Sequence, residues 1–394
     1  MGVTKRIYEH EIRDILFMWN GQIKTIIPLL PQSYTEDDIK SLLKRYYPHE
    51  WRSVEIKYIY YSKKDKFLKK QFGKARFFMK RADDLIKDVH LYKLINSNSY
   101  KEKHFKMFSE TKRQEATELL KEKRISKIER VNQKINNALR FTQQMTPAFI
   151  DQLIGLYERK TTSQKDKCYI LKELKKYYND KVIQFFFKLN DTELNKQLRW
   201  EAFYHLQSFN YQPRARRQKY MQIHTRNNKR RHYLKSVYPD ETYEIPNNPY
   251  ELEYRIENAK EQKIKSYDYF ISHSSKDSVS VQQLIEFENK AQKNVFCDWI
   301  NDSDYLKRNL ICEATLKVIE QRLKQSNALI YVDSDNSRAS VWCIYELNYY
   351  FELNKPIYVI KKEDIDNHTY KITPLTDKWF VDFNYKDIPL FKTK

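Results

Sequence analysis

From Ser266 onward the chain keeps one rhythm, in which short runs of β-branched and aromatic residues alternate with helical patterns. YDYFISH (267–273), NVFCDWI (294–300), NALIYVD (327–333), KPIYVI (355–360) and KWFVDF (378–383) read as buried strands, with amphipathic helices between most of them. Strands that are apolar throughout and separated by helices pair through crossovers, so the pattern predicts a five-stranded parallel sheet wound on both faces. In such sheets ligands bind beyond the carboxyl ends of the strands, where the winding changes direction. The informative residues should therefore follow YDYFISH, follow VFCD, or lie on helices entering that crevice.

Composition removes several chemistries. The sequence has four glycines, Gly2, Gly21, Gly73 and Gly155, and none of them lies in the alternating region. A Walker A loop and a G-x-G-x-x-G turn both need glycine where backbone approaches phosphate, so ATPase, kinase and Rossmann dehydrogenase readings fall away. A Ser-His-Asp hydrolase is disfavoured because no nucleophile elbow with flanking glycines exists. The cysteines, Cys168, Cys297, Cys312 and Cys343, lack C-x-x-C spacing and sit in apolar surroundings, as small buried thiols do; neither disulfides nor a zinc site are expected. No apolar run suits a membrane span, the N-terminal stretch is charged, and Arg6 stands where a myristoylation signal needs Ser or Thr, so a cytoplasmic protein without membrane contact is expected.

A chain of 394 residues exceeds what one core usually organises, so at least two domains are expected. Residues 1–150 read as mostly helical. Thr35 with Asp38 resembles a capping box, Pro48 marks the end of the helix that follows it, and VEIKYIYY (Val54 to Tyr61) alternates enough to suggest a strand. Asn98 to Gln143 reads as long, charged and helical with few core positions, an exposed helical hairpin or arm. Within residues 151–245, LNDTELNKQLRWEAFYHLQSF resembles one unit of a HEAT-type helical repeat, and residues 246–265 look like a connector.

Charge separates the regions. From Ser266 onward 17 Lys and Arg face 19 Asp and Glu, a net of −2, so residues 1–265 carry +23 against +21 for the whole chain. Its densest block carries Arg214, Arg216, Arg217, Lys219, Arg226, Lys229, Arg230, Arg231 and Lys235, interleaved with Tyr211, Tyr220, His224, His232 and Tyr233. Cations among rings can grip a nucleic-acid backbone and stack on bases; equally, such helices can be merely solvated.

Three blocks of the C-terminal region resemble the Toll/interleukin receptor (TIR) family, in that family's order and spacing. YDYFISHSSKD is similar to its first strand and loop, VFCDWINDSDYLKRN to its second strand and loop, and SRASVWCIYELNYYF to the helix bearing S-x-W-x-x-x-E-L. The loop after the second strand departs from the pattern in having no glycine. The resemblance implies a flavodoxin-like α/β TIR domain over 266–394, appended to a mostly α-helical N-terminal region.

TIR-like proteins divide into NAD⁺-cleaving enzymes and non-catalytic adaptors. Glu346 matches the catalytic glutamate of the former, and Trp342 sits one helical turn before it on the same face, where an indole could receive an aromatic ring. Phe270, Ser272, His273 and Asp298 are the residues that the resemblance places around the dinucleotide. Alternatives stand beside these: core packing for Trp342, loop capping for Asp298, a structural role for His273, and capping for Ser274 and Ser275. The expectation is an NAD⁺ glycohydrolase yielding nicotinamide and ADP-ribose, with a cyclised product open, using NAD⁺ as substrate and no cofactor or metal. Resemblance to prokaryotic members further implies activation by self-association through TIR domains, and an antiphage, abortive-infection setting. An adaptor or nucleic-acid-binding scaffold is the alternative.

Overall fold

The computed structural model describes residues 3–215, 223, 225–307, 310–376 and 378, and these divide into two compact units, Met1–Asn136 with Asn210–Gln212 and Asn137–Phe209 with Pro213–Lys394. None of the described helices is long and apolar enough to cross a membrane.

The first unit is helical. Thr35 and Asp38 form the expected reciprocal cap, with the Asp38 amide donating to Thr35 Oγ1 (3.3 Å) and the Thr35 amide to Asp38 Oδ2 (2.8 Å). The helix Glu36–Tyr46 ends just before Pro48, which occupies the first turn of the next helix, Pro48–Phe72. That second helix corrects the strand expected over Val54 to Tyr61. Trp51, Val54 and Tyr61 recur at helical spacing and bury one face against Trp19, Ile39 and Leu43 in a single core. The alternation in VEIKYIYY was a short-window coincidence on a longer helical period. Asn98–Met107 and Glu110–Arg140 are helices, and between them they fully bury only Leu120, as the charged pattern implied.

In the second unit, helices Gln164–Leu174, Asp180–Thr192 and Lys196–Ser208 each begin at a side-chain cap, Ser163, Asn179 and Asn195 respectively. The last two pack on each other, and Val182, Phe186, Leu189, Leu198, Ala202 and Leu206 are buried along them. Helix Pro249–Asn258 packs on the α/β region through Leu252 and Ile256, which share a cluster with Tyr305 and Val318.

The sheet comprises β1 (Tyr267–Ser272), β2 (Val295–Phe296), β3 (Ser326–Asp333), β4 (Ile357–Lys361) and β5 (Thr373–Pro374), in the order β2-β1-β3-β4-β5. β1 to β4 are parallel, with Phe270 beside Leu329 and Ser272 beside Tyr331. The expected all-parallel arrangement needs one correction, because β5 runs antiparallel to β4. Pro374 cannot donate to a ladder and is tolerated there at the sheet's edge. Of the expected strand KWFVDF (378–383), all but Lys378 lies outside the described residues. NVFCDWI contributes only Val295–Phe296 to the sheet before turning into the short helix Asp298–Asn301.

Neighbours along each strand serve opposite faces. Phe270, Leu329 and Tyr331 join the cluster under helices Glu313–Gln325 and Val341–Glu352, whereas Ile271, Ile330 and Val332 join the cluster under helix Ser278–Lys290. That division is the doubly wound architecture expected from the sequence.

Candidate active site

β1 and β3 are adjacent, and the chain winds from β1 to β2 on one side and continues through β3 and β4 on the other. The winding therefore reverses between β1 and β3, and a ligand crevice is expected above their carboxyl ends.

The helix Val341–Glu352 enters that position. Ser340 caps it, its hydroxyl accepting from the Cys343 amide (3.4 Å), which explains the serine of the S-x-W-x-x-x-E pattern. In the first turn, Trp342 is partly buried against the core beneath the helix; Glu346, one turn further on, is also partly buried. Ser272, the fully buried last residue of β1, donates its hydroxyl to Glu346 Oε2 at 2.6 Å. Loss of water around Glu346 pushes its pKa up to about 8; the Ser272 hydrogen bond works against this, and the negative charge of Asp298 adds to it. This raised carboxyl thus sits on a helix that enters the sheet's switch point, the kind of position where perturbed carboxyls cluster in functional sites.

Asp298 opens the short helix after β2, and its Oδ1 accepts from the Trp299 amide (2.8 Å). His273 follows β1; its side chain is 6% exposed, whereas that of Asp298 is 58% exposed, so the group opens to solvent on the Asp298 side. His273 Nδ1 lies 3.0 Å from the Ile271 carbonyl, and Nε2 lies 3.8 Å from Asp298 Oδ1 and 4.0 Å from Cys297 Sγ. Cys297 is fully buried, and burial pushes its thiol up.

Glu346, Ser272, His273 and Asp298 are thus gathered at one end of the sheet, with Trp342 beside them. Phe270 is not: it is 2% exposed and stacks on Phe296 with ring centroids 5.0 Å apart, so the ring expected to line the dinucleotide is a core residue. β1 alternates, and Phe270 faces the same side as Ser272 but one step deeper. Ser274 caps the short turn Ser275–Asp277. Asp277, not singled out from sequence, is buried and ties the loop after β1 to the loop after β3 by accepting from Ser334 Oγ (2.6 Å) and Asn336 Nδ2 (2.8 Å). Cys297, read from the sequence as a small buried thiol, is buried here beside His273 and Asp298, a placement that one thiol in an apolar run does not announce.

The basic block lies elsewhere. Arg226, Lys229, Arg230, Arg231 and Lys235 are exposed on and beside the helix Asn228–Ser236; Arg230 donates to the Lys160 carbonyl (3.3 Å) and Arg231 to the Thr225 carbonyl (2.8 Å). Arg214 is half-buried and its carbonyl accepts from Asn190 Nδ2 (2.9 Å), while Arg216 and Arg217 lie outside the described residues.

Comparison with known proteins bears on this arrangement. Residues 270–366 match the family described as "Thoeris protein ThsB, TIR-like domain". The chain is 35% identical over 363 residues to the "Putative cyclic ADP-D-ribose synthase TIR2" of Cytobacillus dafuensis, covering 92% of this chain and 93% of that protein. It is 28% identical over 109 residues to the "Probable 3' cyclic ADP-D-ribose synthase ThsB'" of Bacillus cereus (strain MSX-D12), covering 28% of this chain and 55% of that protein. No solved structure matches. Similarity to the first relative runs through the helical regions as well as the α/β domain, and on that footing the chain belongs to the TIR-domain family of the Cytobacillus dafuensis TIR2 protein, with a ThsB-type TIR-like domain at its C-terminal end.

Proposed function

We propose that this protein cleaves NAD⁺ at the bond between nicotinamide and ribose and closes the remaining ADP-ribose into a cyclic product, with Glu346 as the catalytic carboxylate. The observation that carries the reading is the Ser272–Glu346 pair at the switch point, where a desolvated carboxyl is held in one orientation by a buried hydroxyl. Both relatives are named as cyclic ADP-D-ribose synthases, which favours ring closure over simple hydrolysis as the main outcome.

The chemistry asks little of a base at first. The carbon–nitrogen bond breaks with its electron pair moving to nicotinamide, which leaves neutral, and positive charge passes to the ribose. Glu346 in its carboxylate form stabilises that charge, as carboxylates do in glycoside cleavage. The cationic nicotinamide ring, arriving over Trp342, itself favours ionisation of Glu346. An oxygen or nitrogen of the same ADP-ribose then attacks the ribosyl carbon and loses a proton, where water would give the linear product. Ser272 acts through Glu346 and is a positioning residue; His273 and Asp298 bind the polar part of the substrate.

The wider reading has two further parts. Activation by self-association of TIR domains, in an antiphage setting, suits an enzyme whose free activity would empty the cell of NAD⁺. The exposed cations of the Asn228–Ser236 helix, with Arg214, Arg226, Arg230 and Arg231, suit recognition of a nucleic-acid cue. That second part fails if the full chain neither copurifies with nucleic acid nor binds it at low salt, where phosphate contacts are strongest. For the activity itself, the full-length protein is incubated with NAD⁺ under conditions that drive association, and nicotinamide and the nucleotides are separated by chromatography. Nicotinamide with a cyclic nucleotide is expected; no nicotinamide at any protein concentration leaves an adaptor.

A further inference from the structure

Three ligand atoms of the kind that bind transition metals converge beside Glu346. Among the described residues, His273 Nε2, Cys297 Sγ and Asp298 Oδ1 form a group whose pairwise separations are 4.0 Å (His273–Cys297), 3.9 Å (Cys297–Asp298) and 3.8 Å (His273–Asp298). For a triangle with these sides one point lies about 2.3 Å from all three atoms, against typical zinc distances of about 2.3 Å to sulfur and about 2.0–2.2 Å to nitrogen and oxygen.

The surroundings favour a cation over an accidental cluster. The Ile271 oxygen can only accept, so His273 Nδ1 carries the proton of that 3.0 Å hydrogen bond, and the ring turns Nε2, the nitrogen left to bind a metal, toward Cys297 and Asp298. A backbone carbonyl bonded to the far ring nitrogen is also the usual outer partner of a metal-binding histidine. Asp298 Oδ1 is oriented by the Trp299 amide at 2.8 Å. Cys297 is buried, the His273 side chain is 6% exposed and that of Asp298 is 58% exposed, which leaves an entry path and an open coordination position for water or substrate.

We propose that His273, Cys297 and Asp298 bind one zinc-class divalent cation at the mouth of the active site. Binding exchanges the thiol proton of Cys297 for a sulfur–metal bond, and the proton leaves to solvent; no electron transfer is involved. An imidazole, a thiolate and a single carboxylate select zinc or cobalt over magnesium or calcium, which prefer all-oxygen shells. A consequence rests on the reading under Proposed function: because His273 and Asp298 are assigned there to the substrate, cation and NAD⁺ compete, and the metal holds the enzyme idle.

The test adds cobalt(II) alone to the full-length protein and follows absorption. One equivalent is expected to bind with a thiolate-to-cobalt charge-transfer band, to be displaced by zinc, and to give no such band in Cys297→Ser. The exposed position of Asp298 makes Asp298→Asn safe for folding, and it should weaken cobalt binding by more than the about 10–100-fold that outer partners carry. No thiolate band in the native protein, an undiminished band in Cys297→Ser, or unchanged affinity in Asp298→Asn overturns the site. Zinc should also suppress nicotinamide release in the native protein, a chelator should restore it, and Cys297→Ser should turn over without zinc sensitivity. Cobalt binding together with zinc-insensitive release overturns the substrate role of His273 and Asp298 and leaves the metal site standing. Absence of any nicotinamide overturns the enzymatic reading, and the cobalt spectrum still decides the site.

Discussion

Desolvated carboxyl groups in the second unit have met opposite treatment. Glu173, on the helix Gln164–Leu174, accepts from Lys176 (2.8 Å), Lys265 (2.7 Å) and Gln262 (2.9 Å), while Asp302, in the loop after β2, is gripped by Arg322 (2.7 and 3.1 Å). Arg322 also donates to Gln262 (2.9 Å), so the two carboxylates belong to one network. Burial alone would raise both carboxyls, yet the surrounding lysines and the arginine hold them below the usual range. Glu346 is desolvated too, but among the described residues it has a serine hydroxyl and no cation beside it, and it is pushed up to about 8. A fully paired cluster fixes the loop carrying Asp302 to the helices; the carboxyl of Glu346 has no such cation among the described residues, which suits the role proposed for it. The contrast separates structure from function more clearly than burial does.

The comparison can be broken first at the paired cluster. Arg322→Met removes the cation between Asp302 and Gln262 and leaves Asp302 buried, with Lys176 at 3.7 Å and the more distant charge of Lys265 to offset it. It should destabilise the folded protein by about 3–5 kcal/mol in denaturant unfolding, as breaking buried pairs does. A change under about 1 kcal/mol would mean the network is not the tie described.

The unpaired carboxyl should behave in the reverse manner. Its folded pKa of about 8 lies above the ordinary 4.5, so the folded state keeps a proton that the unfolded state has lost between those values. Stability from this group is complete below about pH 4.5 and fades as pH rises through about 8. Glu346→Gln cannot ionise, and should therefore gain about 1–3 kcal/mol relative to the native protein between pH 5 and pH 9. Melting curves at both pH values check this; a constant difference contradicts the desolvated state.

Smaller shifts sharpen the assignment of causes. If Glu346 must ionise, kcat/KM for nicotinamide release climbs with pH towards about 8 in the free enzyme. Asp298→Asn removes a negative neighbour and should move that limb to lower pH, by well under a unit because Asp298 is solvent-screened. Ser272→Ala removes the hydrogen bond that favours the carboxylate and should move it to higher pH. Shifts of the opposite sign would break the electrostatic account of the pair.

Much of the site was legible where local rules apply. Trp342 and Glu346 lie one helical turn apart, so their common face follows from spacing, while their assignment to the site came from the family resemblance. The switch point followed from alternation of strands and helices. What stayed hidden depends on distant partners. Ser272 and Glu346 meet only after β1 and the Val341–Glu352 helix are packed, and Lys265 pairs with Glu173 across 92 positions of sequence. Gln143 supplies the edge of β2 with its missing partners, accepting from the Val295 amide (3.1 Å) and donating to the Val295 carbonyl, a contact no local pattern announces. Val54 to Tyr61 misled because eight residues cannot separate period 2 from a helix that buries Trp51, Val54 and Tyr61.

The central claim is that one carboxyl, Glu346, accommodates the positive charge that appears when NAD⁺ is cleaved. Nicotinamide release by the native chain and by Glu346→Gln, measured side by side under the same association-driving conditions, addresses it most directly. The account predicts release by the native protein and background rates for the variant, with its melting temperature undiminished. Equal turnover by a folded Glu346→Gln protein would contradict it.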